Sequence, residues 1–391
     1  MPTRRTADLP LHHGQAPAWL FRRMVEMAGA ITAIIVREYG PVEMLRRLSD
    51  PFWFQAFGCV LGFDWHSSGV TTTVLAALKE ACGRSANEFG LVVCGGKGAL
   101  ARKTPEEIRR ICDKTGDPAD SLIYASRMAA KVDSAAVQDN YELYHHCFLF
   151  VPGQPVWAVV QQGMDTRKRY ARRYHWLSEV MPSFVSDPHA AVVCDKRGQV
   201  LNLVAGEAER HRNALTALSR EHPDRVLREL RKLLASTERL PLYVGQGKSQ
   251  RSTPCNGLRL PARHTLSPRD LNPTTLRKIL THTYERQAAE FEQLLGEENI
   301  GAAALRSLSL LAELIYNAPA SHRDPAAYSF AHGGKDGHPY PVNRQLYDEN
   351  IQRLRRWVEL ARIGQEEKLE ALRALARFSE KTGLSNSNSR A

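Results

Sequence analysis

The chain has 391 residues, 43% hydrophobic and 24% charged, with a formal net charge of +11. Such a length predicts two or three domains with ample core, the composition is that of a soluble globular protein, and the positive balance favours a polyanionic partner. Seven scattered cysteines argue against a disulfide framework or zinc site, and the lack of a long apolar run or signal core makes the expected location cytoplasmic.

In chain order, residues 17–48 read as helices, with Leu20, Met24 and Met27 at helical spacing and Gly40-Pro41 as punctuation. The aromatic run 51–62 is expected in the core. Residues 63–73 read as a polar loop that caps a following helix. A short strand is expected over 89–94, and Thr104-Pro105-Glu106-Glu107 marks a helix start. Two hairpins are predicted: 146–151 with 156–161 about Pro152-Gly153, and 190–194 with 199–204 about residues 195–198. Helical periodicity resumes from Glu207. Residues 237–272 read as a basic connector, 319–344 as a loop, and the stretch to about Phe378 as a long charged helix ahead of a disordered tail.

Between Leu294 and Leu308 lies the outline of a helix-hairpin-helix. Asn299-Ile300-Gly301 turns tightly and opens a helix whose free N–H groups suit a phosphate oxygen. Asn299 stands where the usual pattern has Gly, and Asn tolerates the left-handed conformation. Leu305 stands where the pattern has Ala, and Glu297 and Glu298 would repel a phosphate. A plain αα-hairpin that builds core is the competing reading.

Candidate chemistry falls in several clusters. Asp64-Trp65-His66-Ser67-Ser68-Gly69 reads either as an active-site loop, with Asp64 on Mg²⁺ or Mn²⁺ and His66 moving a proton, or as a helix cap with a structural histidine. Gly95-Gly96-Lys97-Gly98 could approach a phosphate, although it lacks the P-loop spacing, and a flexible turn is the alternative. Lys131, Asp133, Asp139, His145 and His146 crowd ionisable groups into one stretch. Metal-dependent phosphodiester hydrolysis needs carboxylates for the cation, a base for water and a cation near the phosphate. Asp64, Asp133 and Asp139 are the expected ligands, His145 or His146 the base, and Lys97 or Lys131 the stabiliser. Adjacent histidines on a strand face opposite sides, so at most one of the two enters any one site. Taken singly, each of these residues also fits a solvated or salt-bridged surface.

Arg167, Lys168, Arg169, Arg172, Arg173 and Trp176 form a basic-aromatic stretch. On a helix, Arg169, Arg172, Arg173 and Trp176 share one side, suited to phosphates and exposed bases. Arg306, just inside the helix after Gly301, extends the expected nucleic-acid contacts. The loop His332-Gly333-Gly334-Lys335-Asp336-Gly337-His338 matches no zinc pattern and is expected to dock on the N-terminal domain.

Several strings carry a family resemblance: 5–12, 50–79, Tyr141-Glu142-Leu143-Tyr144-His145-His146, Trp157 to Met164, and Ser329 to Gly337. They resemble the prokaryotic family catalogued as domain of unknown function 763, over nearly the whole chain to about residue 378. The resemblance implies a mixed N-terminal domain, a helical nucleic-acid-binding-like C-terminal one and a leaning towards DNA processing. It brings no established catalytic motif.

The expected fold is α+β. A mixed α/β domain with short hairpins covers 1–205 and connecting helices 206–236. A basic linker covers 237–272, a mainly helical domain with the helix-hairpin-helix-like unit 273–380, and a tail 381–391. The expected function is a DNA-binding, metal-dependent nuclease using Mg²⁺ or Mn²⁺. Strand preference and homo-oligomerisation stay open, and no membrane partner is expected. Two alternatives remain: a non-catalytic DNA-binding or architectural protein, and an enzyme acting on a phosphorylated small molecule.

Overall fold

A computed structural model describes residues 18–62, 69–165, 170–194, 198, 200–236 and 272–326. The chain begins with helices α1 (Ala18–Tyr39), α2 (Pro41–Ser49), α3 (Pro51–Val60), α4 (Gly69–Arg84) and a single turn α5 (Ala86–Phe89). Asp50 caps α3 by accepting from the N–H groups of Phe52 and Trp53, with Pro51 as first helical residue. Strand β1 (Val92–Lys97) leads to α6 (Ala99–Arg102), α7 (Thr104–Thr115) and α8 (Ala119–Lys131). The last passes directly into one π-helical turn, Val132–Ala136. Strands β2 (Val137–Gln138), β3 (Glu142–Phe150), β4 (Trp157–Asp165), β5 (Tyr170–Leu177), β6 (Ala191–Val193) and β7 (Leu201–Asn202) follow. Helices α9 (Glu209–Ser219), α10 (Pro223–Ser236), α11 (Pro273–Arg286), α12 (Phe291–Gly296) and α13 (Ala302–Tyr316) close the described chain.

The architecture is α+β. A five-stranded sheet has the order β1-β3-β4-β5-β6 and is antiparallel throughout. One face packs on α1 to α4, through Val93, Cys147, Leu149 and Val160 against Met24, Leu45, Phe57 and Leu78. The other face carries Phe148, Phe150, Val159 and Trp176. These share a core with Met128, Leu215, Leu227, Leu276, Leu294 and Leu308 of the later helices. Helices from both sides of 237–272 therefore meet in one apolar cluster, and those after it build core against the sheet. Gly95 in β1 is required by close approach. Its φ is +92°, and a Cβ there would lie 2.3 Å from the His146 carbonyl oxygen and 2.6 Å from Thr104 Oγ1.

Two sequence expectations are corrected. Residues 170–177 form a strand, so Arg172 and Trp176 point to one face of the sheet and Arg173 to the other. The helical spacing competed with an equally good alternation, and the aromatic residues favour the strand. The second expected hairpin does not form. β6 pairs with β5, whereas β7 pairs with β2, and the Asn202 amide adjoining that pairing donates to Ser321 O. The first hairpin forms as expected and is longer. No helix among the described residues is long and apolar enough to cross a membrane. The connector at 237–271, the loop beyond 326, the charged helix and the tail lie outside the described residues.

Candidate active site

The sheet is divided along its strands. Its upper half is apolar, while the lower half of β3, β4 and β5 buries Asp165, His145, His146, Gln161, Gln162, Arg172, Arg173 and His175. Fully buried charged and polar groups require partners, so this half of the sheet is held by polar contacts.

On the face toward α8, the contacts form one chain. The Ser126 hydroxyl lies 2.8 Å from His146 Nε2, and His146 Nδ1 lies 2.8 Å from Gln161 Oε1. Gln161 Nε2 donates to Ala129 O and, at 2.6 Å, to Asp133 Oδ2. That fixes the amide orientation, so His146 Nδ1–H donates and Nε2 accepts from Ser126. Burial pushes the His146 pKa down, with the Gln161 bond in partial opposition. Asp133 Oδ2 also accepts from Trp176 Nε1 at 2.9 Å, and Oδ1 accepts from His189 Nε2 at 2.5 Å. Asp133 sits in the π-helical turn, a local form often found at functional sites.

His189 is the outer member of this chain. Its side chain retains 7% exposure against 0% for Asp133, and its ring packs on Trp176 and Tyr174 at centroid distances of 4.6 and 5.9 Å. With Nε2–H donating to a carboxylate that Gln161 and Trp176 hold in place, Nδ1 is left facing away from it. This is the geometry of an oriented general base.

A second cluster lies beside it. Arg172 Nη1 donates to Asp139 Oδ2 at 2.8 Å and Nη2 to Asp324 Oδ2 at 2.9 Å, and its guanidinium lies over the Tyr141 ring. Tyr174 also donates to Asp139. Burial opposes the Arg172 charge, but Cys194, Asp139 and Asp324 outweigh it and hold its proton well above the ordinary range. Asp324 belongs to a strap, residues 317–326, that lies along β7 through Ser321 and His322. On the opposite face, Arg173 donates to Gln55, Thr71 and His175.

Among the described residues, the structure brings Asp133, His146 and Trp176 into one network. Asp139 serves the Arg172 cluster. His145 is on the other face from His146, as alternation requires. Lys131 donates to Glu297 O at 3.1 Å, and burial lowers its pKa. Lys97 ends β1, exposed. Arg172, Arg173 and Trp176 have exposures of 1%, 0% and 0%, so none presents itself to a phosphate or a base. Arg306 is also buried and donates to Gln138 Oε1. Asn299 is left-handed at φ +69° as expected, and Gly301 caps α13. The residues just before them are tied down, Glu297 O by Lys131 and Glu298 O by His282. Asp64, His66, Arg167, Lys168 and Arg169, and the loop 332–338, lie outside the described residues.

The expected metal set does not fit as placed. Asp139 is compensated by Arg172, both Asp133 oxygens accept from protein donors, and no group of three or more His, Cys, Asp or Glu side chains converges on a cation site among the described residues.

Sequence reasoning missed His189. It stands alone in the segment before β6, 56 residues from the carboxylate that orients it, and Ser186-Asp187-Pro188-His189 carries no local signal. A family profile described as "Protein of unknown function (DUF763)" matches residues 5–342. The chain belongs to this family. No curated protein and no solved structure matches it. In this DUF763 protein the matched residues include the whole Asp133 network and the Arg172 cluster.

Proposed function

We propose that this is a DNA-binding phosphodiesterase in which His189, oriented by Asp133, activates the attacking water. The observation that carries this reading is the Asp133–His189 pair at 2.5 Å, with the carboxylate fully buried and the imidazole retaining 7% exposure. An oriented imidazole can accept a proton from water as a diester is attacked and return it to the leaving oxygen. Such a group typically supplies about 10²- to 10⁴-fold in rate. The net charge of +11 draws a polyanion to the surface, and the Asn299–Gly301 turn presents the start of α13 as a second contact. A Mg²⁺ or Mn²⁺ ion remains part of the proposal for activity, but without Asp133 and Asp139 as its paired ligands.

The test is incubation of purified protein with end-labelled single- and double-stranded DNA in Mg²⁺, in Mn²⁺ and in EDTA. Fragments are expected from the wild type and not from Asp133→Asn, with retention of the uncut DNA the same for both. Retention without fragments from the wild type would favour the architectural reading instead.

A further inference from the structure

We propose that Lys97 and His145, with Gln162 beside them, form a binding subsite for a phosphate oxyanion on the face of the sheet opposite Asp133. The register places Lys97 across from His145, His145 across from Gln162, and Gln162 across from Arg173. Directly paired residues of antiparallel strands hold their Cβ atoms about 5 Å apart, so Lys97 and His145 converge on one volume.

His145 is 1% exposed, yet both of its ring nitrogens lack a hydrogen-bond partner. A buried imidazole with both nitrogens unmet is destabilising, because each group has lost its bonds to water and gained none. Every other buried histidine described on this sheet is bonded: His146 to Ser126 and Gln161, His175 to Leu48 O and Arg173. An acceptor entering beside His145 would satisfy its ring N–H.

The surroundings specify an anion. Burial, and after it the charges of His146 and Lys97, push the His145 pKa down to about 3. Arg173 lies beyond Gln162, and Lys79, on α4 over β1, is already paired with Glu107 at 2.6 Å. Lys97 extends over the Tyr144 ring, its Nζ 5.9 Å from the centroid, and no carboxylate among the described residues bonds it. Gln162 Nε2 donates to Tyr144 Oη, so Tyr144 sits at the mouth. The register of β3 shifts between Leu143 and His145, and such irregularities re-aim side chains beside functional sites. An entering phosphate would accept from Lys97 and from an imidazole N–H, and its charge would let His145 take up a proton from solvent.

The test uses the full chain labelled with ¹⁵N-histidine, titrated with inorganic phosphate to about 10 mM, where a millimolar site fills. His145 is assigned by its loss in His145→Gln. Its ring nitrogens should move toward imidazolium values, and Lys97→Met should weaken the response about 10-fold while Lys114→Met leaves it unchanged. A short oligonucleotide without terminal phosphates forms a second arm. Movement there assigns the occupant to a diester, and movement with inorganic phosphate alone assigns a free phosphate. His145 resonances that stay still in both arms, or a Lys97→Met protein that responds like the wild type, would overturn the proposal. His189→Gln should leave the phosphate response intact, so failure here is distinct from failure of the hydrolytic reading.

Discussion

At the scale of single residues, burial decides what each ionisable group can do. His145, His146 and His175 all have pKa values lowered by burial, to about 3 for His145 and well below the ordinary 6.5 for His175. A group held neutral in the folded chain and free to protonate in the unfolded one favours unfolding as acid is added. The stability it confers is complete above pH 6.5 and is lost as pH falls from there toward its folded value. For His145 the loss is about 1.4 kcal/mol per pH unit across that window. Urea unfolding at pH 7, 6 and 5 in phosphate-free buffer should therefore show a steeper decline for the wild type than for His145→Gln. Equal slopes would mean that His145 is not held neutral. Asp133 and His146 are legible in the sequence as chemistry-bearing types, and strand alternation alone puts His145 and His146 on opposite faces. His189 was not legible, because what distinguishes it is a carboxylate brought to it by the fold.

Strand β5 shows how one element carries two readings. Its sequence, Tyr170 to Leu177, fits a basic helix face and a strand equally well by spacing, and pairing with β4 along its whole length decides for the strand. Of the arginines expected to contact phosphate, Arg172 is instead an internal counter-charge and Arg173 a buried donor to Gln55, Thr71 and His175. Arg172 joins β5 to the Asp139 segment after β2 and to the strap at Asp324. Removing one partner of such a buried pair costs about 3–5 kcal/mol, because the remaining charge is left uncompensated. Arg172→Met should lose stability of that order in urea unfolding. Adding Asp139→Asn to it should recover part of the loss, since the orphaned carboxylate is then neutral. A loss below about 1 kcal/mol in the single variant would contradict the role of Arg172 as the tie. The hairpin at β3 and β4 was legible from its Pro152-Gly153 turn. The pairing of β7 with β2 was not, because no local pattern records a partner so far along the chain.

Across the whole molecule, the sheet is a wall between two helical layers, with an apolar half for stability and a polar half for chemistry. The α+β class was legible from periodicity and turn signals. The sharing of one core by helices before and after 237–272 was not, since an uninformative connector separates them in sequence. The excess of positive charge belongs to this scale as well. Binding of double-stranded DNA should weaken on the order of 100-fold between 50 and 200 mM salt, as about four phosphate contacts would give. Affinity that ignores salt would remove the polyanion from the account. The Asp133–His189 pair remains the central claim, and His189→Gln tests it most directly. Gln at 189 can still donate to Asp133 but cannot take a proton from water. On DNA bound beforehand, single-turnover cleavage by His189→Gln should be at least about 100-fold slower than by the wild type, with the dissociation constant unchanged. Equal cleavage rates, or a loss of binding that accounts for the whole effect, would contradict it.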